Sequence, residues 1–247
     1  MGKDRSCRGA EISTELGTSQ HSGTLASKLF GRKKGHRLRA LGVRLMTDLL
    51  PRLSIPAGTD GLALETLFAT DYQEIWLEVG FGDGGHLAAQ AKANPHIGLI
   101  GCEPFVNGVA HLLEQIETAG LGNIRIYQDD ARQLLSRLPD ASLARVFLLF
   151  PDPWHKKRHH KRRFITPETL DELARVMRPG AEFRFASDSA DYVAWTEQAL
   201  AAHSSFGWMT GQDSDRQIRP DDWPPTKYER KALAAGRRPA YLRFVRV

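Results

Sequence analysis

From Glu74 onward, short apolar runs rich in β-branched and aromatic residues alternate with longer amphipathic segments. The short runs predict strands at Ile75–Val79, Ile97–Cys102, Ile124–Gln128, Arg145–Phe150, Glu182–Ala186 and Leu242–Val247. The amphipathic segments predict helices at His86–Ala93, Val106–Thr118, Arg132–Arg137, Pro167–Met177 and Tyr192–Ala202. This alternation is typical of an α/β fold, in which helices cover a parallel sheet and the crossovers are right-handed.

The chain before this alternation divides into two parts. Residues 1–27 are rich in Ser, Thr and Gly without a helical or strand period, which predicts a disordered tail. Residues 28–60 combine a basic stretch, Gly31–Arg37, with a Leu-rich helical piece, and we interpret them as a basic N-terminal arm. The remaining residues, 61–247, are predicted to form one domain around a single core.

Composition excludes several classes of protein. A hydrophobic fraction of 41% and a charged fraction of 26% are ordinary for globular proteins and exclude wholesale disorder. The longest apolar runs, such as Val146–Phe150, are far shorter than the roughly 20 residues of a membrane span. Cys7 and Cys102 lie far apart without a disulfide framework, and the N-terminus has no apolar signal segment. We therefore expect a cytoplasmic protein with no membrane partner and no obligate protein partner.

The net charge of +5 is concentrated in particular segments. Trp154–Arg163 holds six Lys or Arg and three His among ten residues, and both ends of the chain are basic too. A charge run is usually a solvated face, but basic segments flanking a less basic body favour a polyanionic partner such as nucleic acid. His155 and His159 have the spacing of metal ligands on a helix, yet the surrounding cations disfavour a divalent ion, and we predict no metal site.

The first predicted strand runs into the glycine motif G-x-G-x-x-G, formed by Gly80, Gly82 and Gly85. A tight turn that needs glycine only for its dihedral angles is the simpler interpretation of a lone match. Here, however, strand, glycine turn and helix follow in order, and Glu103 comes about 20 residues later, suitably placed to bind ribose hydroxyls. The motif therefore predicts a nucleoside cofactor.

The signs of the neighbouring charges distinguish between nucleoside cofactors. Glu78, Glu103, Asp130 and Asp152 all lie at predicted strand ends. At an effective dielectric constant of about 20, a carboxylate within about 4 Å of a phosphate costs about 4 kcal/mol, which disfavours a nicotinamide dinucleotide. The same carboxylates favour S-adenosyl-L-methionine, which carries a sulfonium and an ammonium group. Asp83, also in the glycine loop, is alternatively a helix cap.

Asp152 lies between Pro151 and Pro153, directly after the fourth predicted strand. The prolines stiffen the turn and remove amide donors that would otherwise neutralise the carboxylate. A carboxylate beside Trp154 suits guanine, which offers paired N–H donors and a ring face for stacking. The alternative is an ordinary turn that ends the strand, with Trp154 packed beneath it.

Two further acidic positions have both structural and functional interpretations. Asp188 follows the fifth predicted strand and is either a helix N-cap or an acid of the pocket. Thr226 and Glu229 form a T-x-x-E capping box at the start of a predicted helix that stops near Gly236, and this box alone is a sufficient reason for both residues. A ligand role for them remains open from the residues alone.

Taken together, the sequence resembles the bacterial tRNA (guanine-N7)-methyltransferases, from about Gly31 to the C-terminus. The motifs that carry the resemblance are Glu78–Gly82, Glu103, Asp130–Ala131, Phe150–Lys156, Lys161–Arg163, Ser187–Asp188 and Thr226–Glu229. The Phe150–Lys156 block is highly specific, whereas the glycine loop is not. The chain departs from the family mainly in its N-terminal tail.

The resemblance implies a Rossmann-like class I methyltransferase fold, with a mostly parallel seven-stranded sheet and helices on both faces. It implies transfer of a methyl group from S-adenosyl-L-methionine to guanine 46 in the variable loop of tRNA, with Asp152 as the catalytic residue. The cofactor contacts expected are Glu78, Gly80, Gly82, Glu103, Asp130 and Asp152. The substrate contacts expected are Lys156, Asp188, Thr226, Lys227, Tyr228 and Glu229. The RNA contacts expected are Arg158, His159, His160, Lys161, Arg162 and Arg163.

Two other functions remain open. The Asp152–Trp154 turn is also similar to the Asp-Pro-Pro-aromatic motif of methyltransferases that act on exocyclic amines, which would make adenine or guanine N2 the target. A non-enzymatic RNA-binding module on a vestigial methyltransferase fold is the second alternative, but it leaves the acids at the strand ends without a purpose. Guanine N7 has a lone pair and no hydrogen, so its methylation needs no general base.

Overall fold

The computed structural model describes residues 29–31, 33–68, 71–209 and 216–247. The predicted disordered tail, 1–27, lies outside these described residues, as does Cys7. The helices are α1 (Ala40–Asp48), α2 (Leu50–Leu53), α3 (Gly85–Ala93), α4 (Val106–Ala119), α5 (Ala131–Leu135), α6 (Pro167–Val176), α7 (Ala190–Ala201) and α8 (Lys227–Ala234). The strands are β1 (Glu74–Val79), β2 (Ile97–Cys102), β3 (Ile124–Tyr127), β4 (Leu143–Leu149), β5 (Met177–Ser187), β6 (Phe206–Trp208) and β7 (Ala240–Arg246).

The seven strands form one sheet in the order β3-β2-β1-β4-β5-β7-β6. Strands β1 to β5 are parallel, and β7 runs antiparallel between β5 and β6. After β3 the chain returns to the centre of the sheet, where β4 pairs with β1. The loops that follow β1 and β4 therefore begin at neighbouring strands. Ligands of open α/β sheets bind at such a reversal of strand order, outside the carboxyl ends of the strands.

The six predicted strands are all present, with ends that differ by a few residues. β5 begins five residues earlier than predicted, at Met177, because Pro179 and Gly180 interrupt the apolar pattern that marks its second half. The sequence prediction missed β6, whose three residues at the sheet edge are too few for a periodic signal. The five predicted helices are confirmed within two residues at each end, and the predicted helix after Thr226 is α8.

The sheet has an apolar core on each face, because neighbouring residues of a strand point to opposite sides. On one face Leu77 and Val146 pack with α5, α6 and α7. On the other face Trp76 and Phe147 pack with α3 and α4. The basic N-terminal arm is not separate from this core, because Leu45 of α1 is fully buried in the second cluster.

Among the described residues, the model contains no helix that is long and apolar enough to cross a membrane.

Candidate active site

A cleft of about 920 Å³ lies at the carboxyl ends of β1 to β5. Its volume is within the range of about 300–1,000 Å³ that ligand pockets occupy. The loops after these strands line it, together with the first turn of α4, α8 and the arm residues Leu29–Gly31. Six of the lining residues are acids: Asp83, Glu103, Asp129, Asp130, Asp152 and Asp188. Five are Lys or Arg: Arg132, Arg162, Lys227, Lys231 and Arg237.

The glycine loop after β1 forms one wall of the cleft. Gly80 and Gly82 both line it and both have positive φ angles, +72° and +61°, which side chains other than glycine rarely adopt. A Cβ built on Gly80 would meet no atom within 4 Å, so the Gly80 backbone lies open to the cleft. The loop is fixed from behind by the Gly80 amide, which donates to the carbonyl of Cys102 at 2.8 Å.

Glu103 lies opposite this loop, at the end of β2, and its carboxylate lines the cleft. One oxygen accepts from the Gly82 amide at 2.8 Å, and the other accepts from the Phe105 amide at 2.9 Å. Burial raises the pKa of Glu103 above its ordinary value. The hydrogen bonds from these two amides lower it by less, and the charge of Asp152 also raises it. Each carboxylate oxygen keeps a further lone pair, so Glu103 can hold the glycine loop and accept from a ligand hydroxyl together.

Glu78 does not line the cleft. Its carboxylate is buried, 2.8 Å from Nδ1 of His86 on α3, and His86 is buried as well. The His86 ring contacts Phe147 edge-on, with 4.9 Å between ring centroids. The structure thus gives Glu78 a partner within the protein, and its predicted contact with the cofactor stays a prediction.

Asp130 lines the cleft at the end of β3 and is also the N-cap of α5. Its Oδ1 accepts from the Arg132 amide at 3.1 Å and lies 3.2 Å from Nη1 of Arg132. Arg132 is itself buried, and its Nη2 donates to the carbonyl of Arg163 at 3.0 Å. Sequence analysis did not single out Arg132, which joins the β3 end of the cleft to the segment after β4.

Asp152 is exposed in the cleft, on the turn that follows β4. Phe150 and Trp154, two residues before and after it, have φ angles of +52° and +48°. Such angles are uncommon for residues with side chains, and the turn is therefore strained. The Phe150 amide is bound to the carbonyl of Ala186 in β5 at 2.7 Å, which fixes one end of the turn.

Trp154 lines the cleft next to Asp152 and belongs to a cluster of three side chains, in which its ring contacts that of Phe30 edge-on, with 6.3 Å between centroids. The guanidinium of Arg162 lies 4.8 Å from the centre of the Trp154 ring and 4.8 Å from that of Phe30. Phe30 belongs to the N-terminal arm, and its side chain is 41% exposed. Neither interpretation of Trp154 from the sequence foresaw this contact, because 124 residues separate Phe30 from Trp154 along the chain.

The basic segment after Trp154 forms a 3-10 helix, Lys157–Arg162. Lys156, Arg158 and Lys161 are exposed, and His159, His160 and Arg162 are partly buried. Arg162 lines the cleft and Lys156 does not. The basic stretch therefore lies directly beside Asp152, as the sequence indicates.

Arg163 differs from the rest of this segment, and its burial argues against the RNA contact predicted for it. Its side chain has no exposed surface. The guanidinium lies over the rings of Tyr192 and Trp195 and is paired with Asp191 at the start of α7. The sequence could not reveal this, because these partners lie about 30 residues away in a different helix.

The residues expected to bind substrate divide into two groups. Asp188, Lys227 and Tyr228 line the cleft. Asp188 is not the N-cap of α7, which is Ser189, and its carboxylate accepts from Nε of Arg237 at 2.6 Å. Of its two interpretations, the structure therefore favours the acid of the pocket.

Thr226 and Glu229 do not line the cleft. Their side chains and amides form the capping box of α8, with distances of 3.0 and 3.2 Å. The buried carboxylate of Glu229 also accepts from the Tyr241 hydroxyl at 2.7 Å and lies 2.9 Å from Nε of Arg219. The structural interpretation of the box is confirmed, and a contact between these two residues and substrate stays a prediction.

Comparisons with known proteins agree with this site. A family model described as "Putative methyltransferase" matches residues 72–241. The tRNA (guanine-N(7)-)-methyltransferase of Nitrobacter hamburgensis is 52% identical over 218 residues, which cover 88% of this chain and 86% of that protein. The protein of the same name from Rhodospirillum rubrum is 49% identical over 224 residues, which cover 89% of this chain and 88% of that protein.

Solved structures show the same fold at lower identity. The 16S rRNA methyltransferase KamB superposes with a TM-score of 0.53 and 19% identity, covering 71% of this chain and 88% of that one. TrmN from Thermus thermophilus superposes with a TM-score of 0.51 and 15% identity, covering 71% of this chain and 45% of that one. The fold is that of the class I methyltransferases, and the chain is a methyltransferase. With its extensive identity to the two named proteins, it belongs to the family of tRNA (guanine-N7-)-methyltransferases.

Proposed function

We propose that the protein transfers the methyl group of S-adenosyl-L-methionine to N7 of a guanine in tRNA, namely guanine 46 of the variable loop, in the cytoplasm and without an obligate protein partner. The names of the relatives support the reaction, and the resemblance of the Phe150–Lys156 block supports the position. The observation that carries the proposal is the direct juxtaposition of Asp152, exposed in an acidic cleft, with the basic 3-10 helix Lys157–Arg162.

The residues of the cleft fit S-adenosyl-L-methionine. The open, positive-φ backbone at Gly80 leaves room for a ligand to approach the loop closely. The Glu103 carboxylate retains acceptor capacity for ribose hydroxyls after binding two amides. Asp152 adds a negative charge that attracts a sulfonium or an ammonium group. Asp130 contributes less negative charge than the sequence suggests, because Arg132 is paired with it.

When bound, S-adenosyl-L-methionine supplies an electrophilic methyl group. Because guanine N7 attacks with its lone pair, the protein needs to hold the base in line and has no proton to remove. Orientation of this kind contributes about 7–11 kcal/mol in favourable systems. The base becomes cationic as it is methylated, so a fixed carboxylate at Asp152 stabilises the charge that develops on it. Asp152 therefore positions the base and stabilises charge.

Binding of tRNA is assigned to the exposed cations beside this carboxylate. Lys156, Arg158 and Lys161 are exposed in or next to the 3-10 helix, and the Arg162 guanidinium lies over the Trp154 ring at the cleft edge. Contacts to phosphates supply most of the affinity of sequence-independent RNA binding and depend strongly on salt. To bring N7 to the methyl donor, the guanine must leave the tertiary pairing and stacking in which that edge of the base takes part.

The decisive experiment incubates unmodified tRNA with the protein and methyl-labelled S-adenosyl-L-methionine, followed by nucleoside mass spectrometry. We expect 7-methylguanosine, and we expect it to disappear when guanine 46 is replaced in the tRNA. A methylated exocyclic amine would point instead to the alternative suggested by the Asp-Pro-Trp turn. RNA binding without methyl transfer would favour a vestigial fold.

Asp152→Asn tests the role of the carboxylate in single-turnover assays. We expect the rate of methyl transfer to fall by about 10- to 100-fold, since the amide keeps the size of the side chain but removes its charge. Asp140→Asn serves as the control, because Asp140 is an exposed acid paired with Arg175 outside the cleft. An unchanged rate in Asp152→Asn would show that its charge is not used.

A further inference from the structure

Arg163 is the most deeply buried cation of the basic segment. Its side chain has no exposed surface, whereas its neighbours Arg158 and Lys161 are exposed. Burial of a charged group is costly unless it is paired and hydrogen-bonded. What Arg163 binds therefore indicates why the fold retains it.

One contact of Arg163 is made to the turn that carries Asp152. Its Nε donates to the carbonyl of Pro153 at 3.0 Å. Pro151 and Pro153 have no amide protons, so this turn cannot fix itself through the amides at those positions. It also contains the positive φ angles of Phe150 and Trp154, which persist only when surrounding groups hold them. The hydrogen bond from Arg163 to the carbonyl of Pro153, the residue after Asp152, is one such stabilising contact.

A second contact of Arg163 is made to the first turn of α7. Its Nη2 is paired with a carboxylate oxygen of Asp191. This hydrogen bond lowers the pKa of Asp191, and burial raises it by a smaller amount. The next residue of α7, Tyr192, accepts from the Phe164 amide at 3.0 Å through its hydroxyl. Arg163 thus connects the Asp152 turn to a helix that is buried against the sheet.

The backbone of Arg163 extends this connection to the β3 side of the cleft. Its carbonyl accepts from Nη2 of Arg132, and Nη1 of Arg132 is paired with Asp130. A continuous series of contacts therefore runs from Asp130 through Arg132 and Arg163 to the carbonyl of Pro153. It links two of the acids that line the cleft, Asp130 and Asp152.

We propose that Arg163 is a positioning residue for methyl transfer: it holds the Pro153 carbonyl and so fixes the orientation of Asp152, and it does not contact RNA. This inference rests on the proposed function for the reaction that Asp152 serves. A guanidinium is required because its planar fork binds the Pro153 carbonyl and Asp191 with different nitrogens, whereas a lysine offers one nitrogen.

Kinetics of Arg163→Lys provide the first test, with Arg158→Ala as the contrasting variant on the same basic segment. For Arg163→Lys we expect kcat to fall by about 10- to 100-fold with little change in KM for tRNA, because small misplacements of a reacting group are costly. For Arg158→Ala we expect KM for tRNA to rise instead. A rise in KM without a fall in kcat for Arg163→Lys would overturn the proposal.

The salt dependence of tRNA affinity separates positioning from RNA contact independently of turnover. Each lost phosphate contact reduces the slope of log Kd against log salt concentration by about 0.7–0.9. We expect this reduction in Arg158→Ala and an unchanged slope in Arg163→Lys. A reduced slope in Arg163→Lys would mean that its side chain reaches RNA and would overturn the proposal.

Asp191 provides a second variant that disturbs the fold less, because its side chain is 59% exposed. We expect Asp191→Ala to lower kcat, and Asp191→Asn, which keeps an oxygen acceptor for Arg163, to restore much of the loss. If Asp191→Asn and Asp191→Ala were equally impaired, or both fully active, the connection from Arg163 to α7 would not serve catalysis and the proposal would fail.

Amide hydrogen exchange distinguishes failure of this proposal from failure of the proposed function. In Arg163→Lys we expect faster exchange in a peptide covering Asp152–Lys156 and unchanged exchange in β1, which is part of the central sheet. Wild-type protein that makes no 7-methylguanosine would refute the proposed function. Faster exchange confined to the turn in Arg163→Lys would still show that Arg163 holds the Asp152 turn. Unchanged exchange in the turn would overturn the inference about Arg163.

Discussion

Gly108, in the first turn of α4, lies so close to Gly82 that a Cβ added to Gly108 would be 2.1 Å from the Gly82 carbonyl oxygen. Side chains never approach a carbonyl oxygen this closely, so only glycine allows the two segments to meet. The same contact places α4 directly behind the loop whose Gly82 amide donates to Glu103. The position of the glycine loop therefore depends on a glycine outside the G-x-G-x-x-G motif.

Gly108→Ala is expected to displace this loop and weaken binding of S-adenosyl-L-methionine by at least about tenfold, which is the effect of 1.4 kcal/mol on a binding constant. Isothermal titration calorimetry measures the change. Gly122→Ala is the control, because its Cβ would meet no atom within 4 Å, Gly122 has no positive φ and it lies outside the glycine motif and the cleft. Equal affinity of Gly108→Ala and wild type would show that the loop can shift without cost.

The buried pair of Glu78 and His86 leads to a prediction about stability. Removing the hydrogen-bond partner of a buried carboxylate leaves its desolvation uncompensated, which costs about 1–3 kcal/mol or more. We expect His86→Ala to lower the free energy of unfolding by an amount in this range, measured by urea denaturation. Adding Glu78→Gln to His86→Ala should recover part of the loss, because a neutral amide is cheaper to bury than a carboxylate.

A double-mutant cycle over Glu78→Gln and His86→Ala decides whether the two side chains interact as the structure indicates. Coupling near zero would contradict the pairing of Glu78 with His86. It would leave the Glu78 carboxylate available to the cofactor, as the resemblance to the family implies.

The sequence predicts the sheet well because its central strands are buried on both faces and form continuous apolar runs. It also identifies Glu103 and Asp152 as residues of the cleft, because both come within two residues of the end of such a run. Contacts between distant segments leave no comparable signal. In a run of six Lys or Arg, nothing marks Arg163 as the one that turns inward, and nothing near Asp188 indicates that Arg237 pairs with it.

The cluster of Phe30, Arg162 and Trp154 predicts a role for the N-terminal arm in binding tRNA. The Arg162 guanidinium lies over both the Phe30 and the Trp154 ring, and an exposed cation–π contact contributes about 0.5–1 kcal/mol. Loss of the Phe30 ring should therefore weaken tRNA binding by about two- to fivefold, measured by filter binding at fixed salt.

Phe30→Leu and Phe30→Tyr distinguish the effect of the aromatic ring from that of apolar side-chain volume. Phe30→Leu keeps apolar volume but removes the aromatic face, and we expect it to bind tRNA as weakly as Phe30→Ala. Phe30→Tyr keeps the ring and should bind like wild type. If Phe30→Leu retained full affinity, the arm would act through apolar packing and not through Arg162.

Glu182 predicts how the stability of the sheet responds to acid. Its carboxylate, in β5, lies 2.8 Å from Nη2 of Arg184 and 3.1 Å from Nε of Arg145. Burial opposes its ionisation, but the hydrogen bonds and charges of its arginine partners outweigh burial and lower the pKa of Glu182 below its ordinary value of 4.5. The folded protein therefore binds this proton less readily than the unfolded chain does.

A carboxyl with a lowered pKa in the folded state stabilises the protein above the pKa of the unfolded chain, and this contribution is lost as the pH falls through the folded pKa. We expect Glu182→Gln to lower the free energy of unfolding by about 1.5–3 kcal/mol near neutral pH, as for hydrogen bonds to charged groups. The difference from wild type should shrink as the pH falls below 4.5, when wild-type Glu182 becomes protonated too. Urea denaturation at pH values between neutral and strongly acidic measures both curves. A difference that stays constant across this range would mean that ionisation of Glu182 contributes nothing to the stability of the fold. Arg145 would then be held by packing against Trp76, and Arg184 by packing against Phe147 and Trp223.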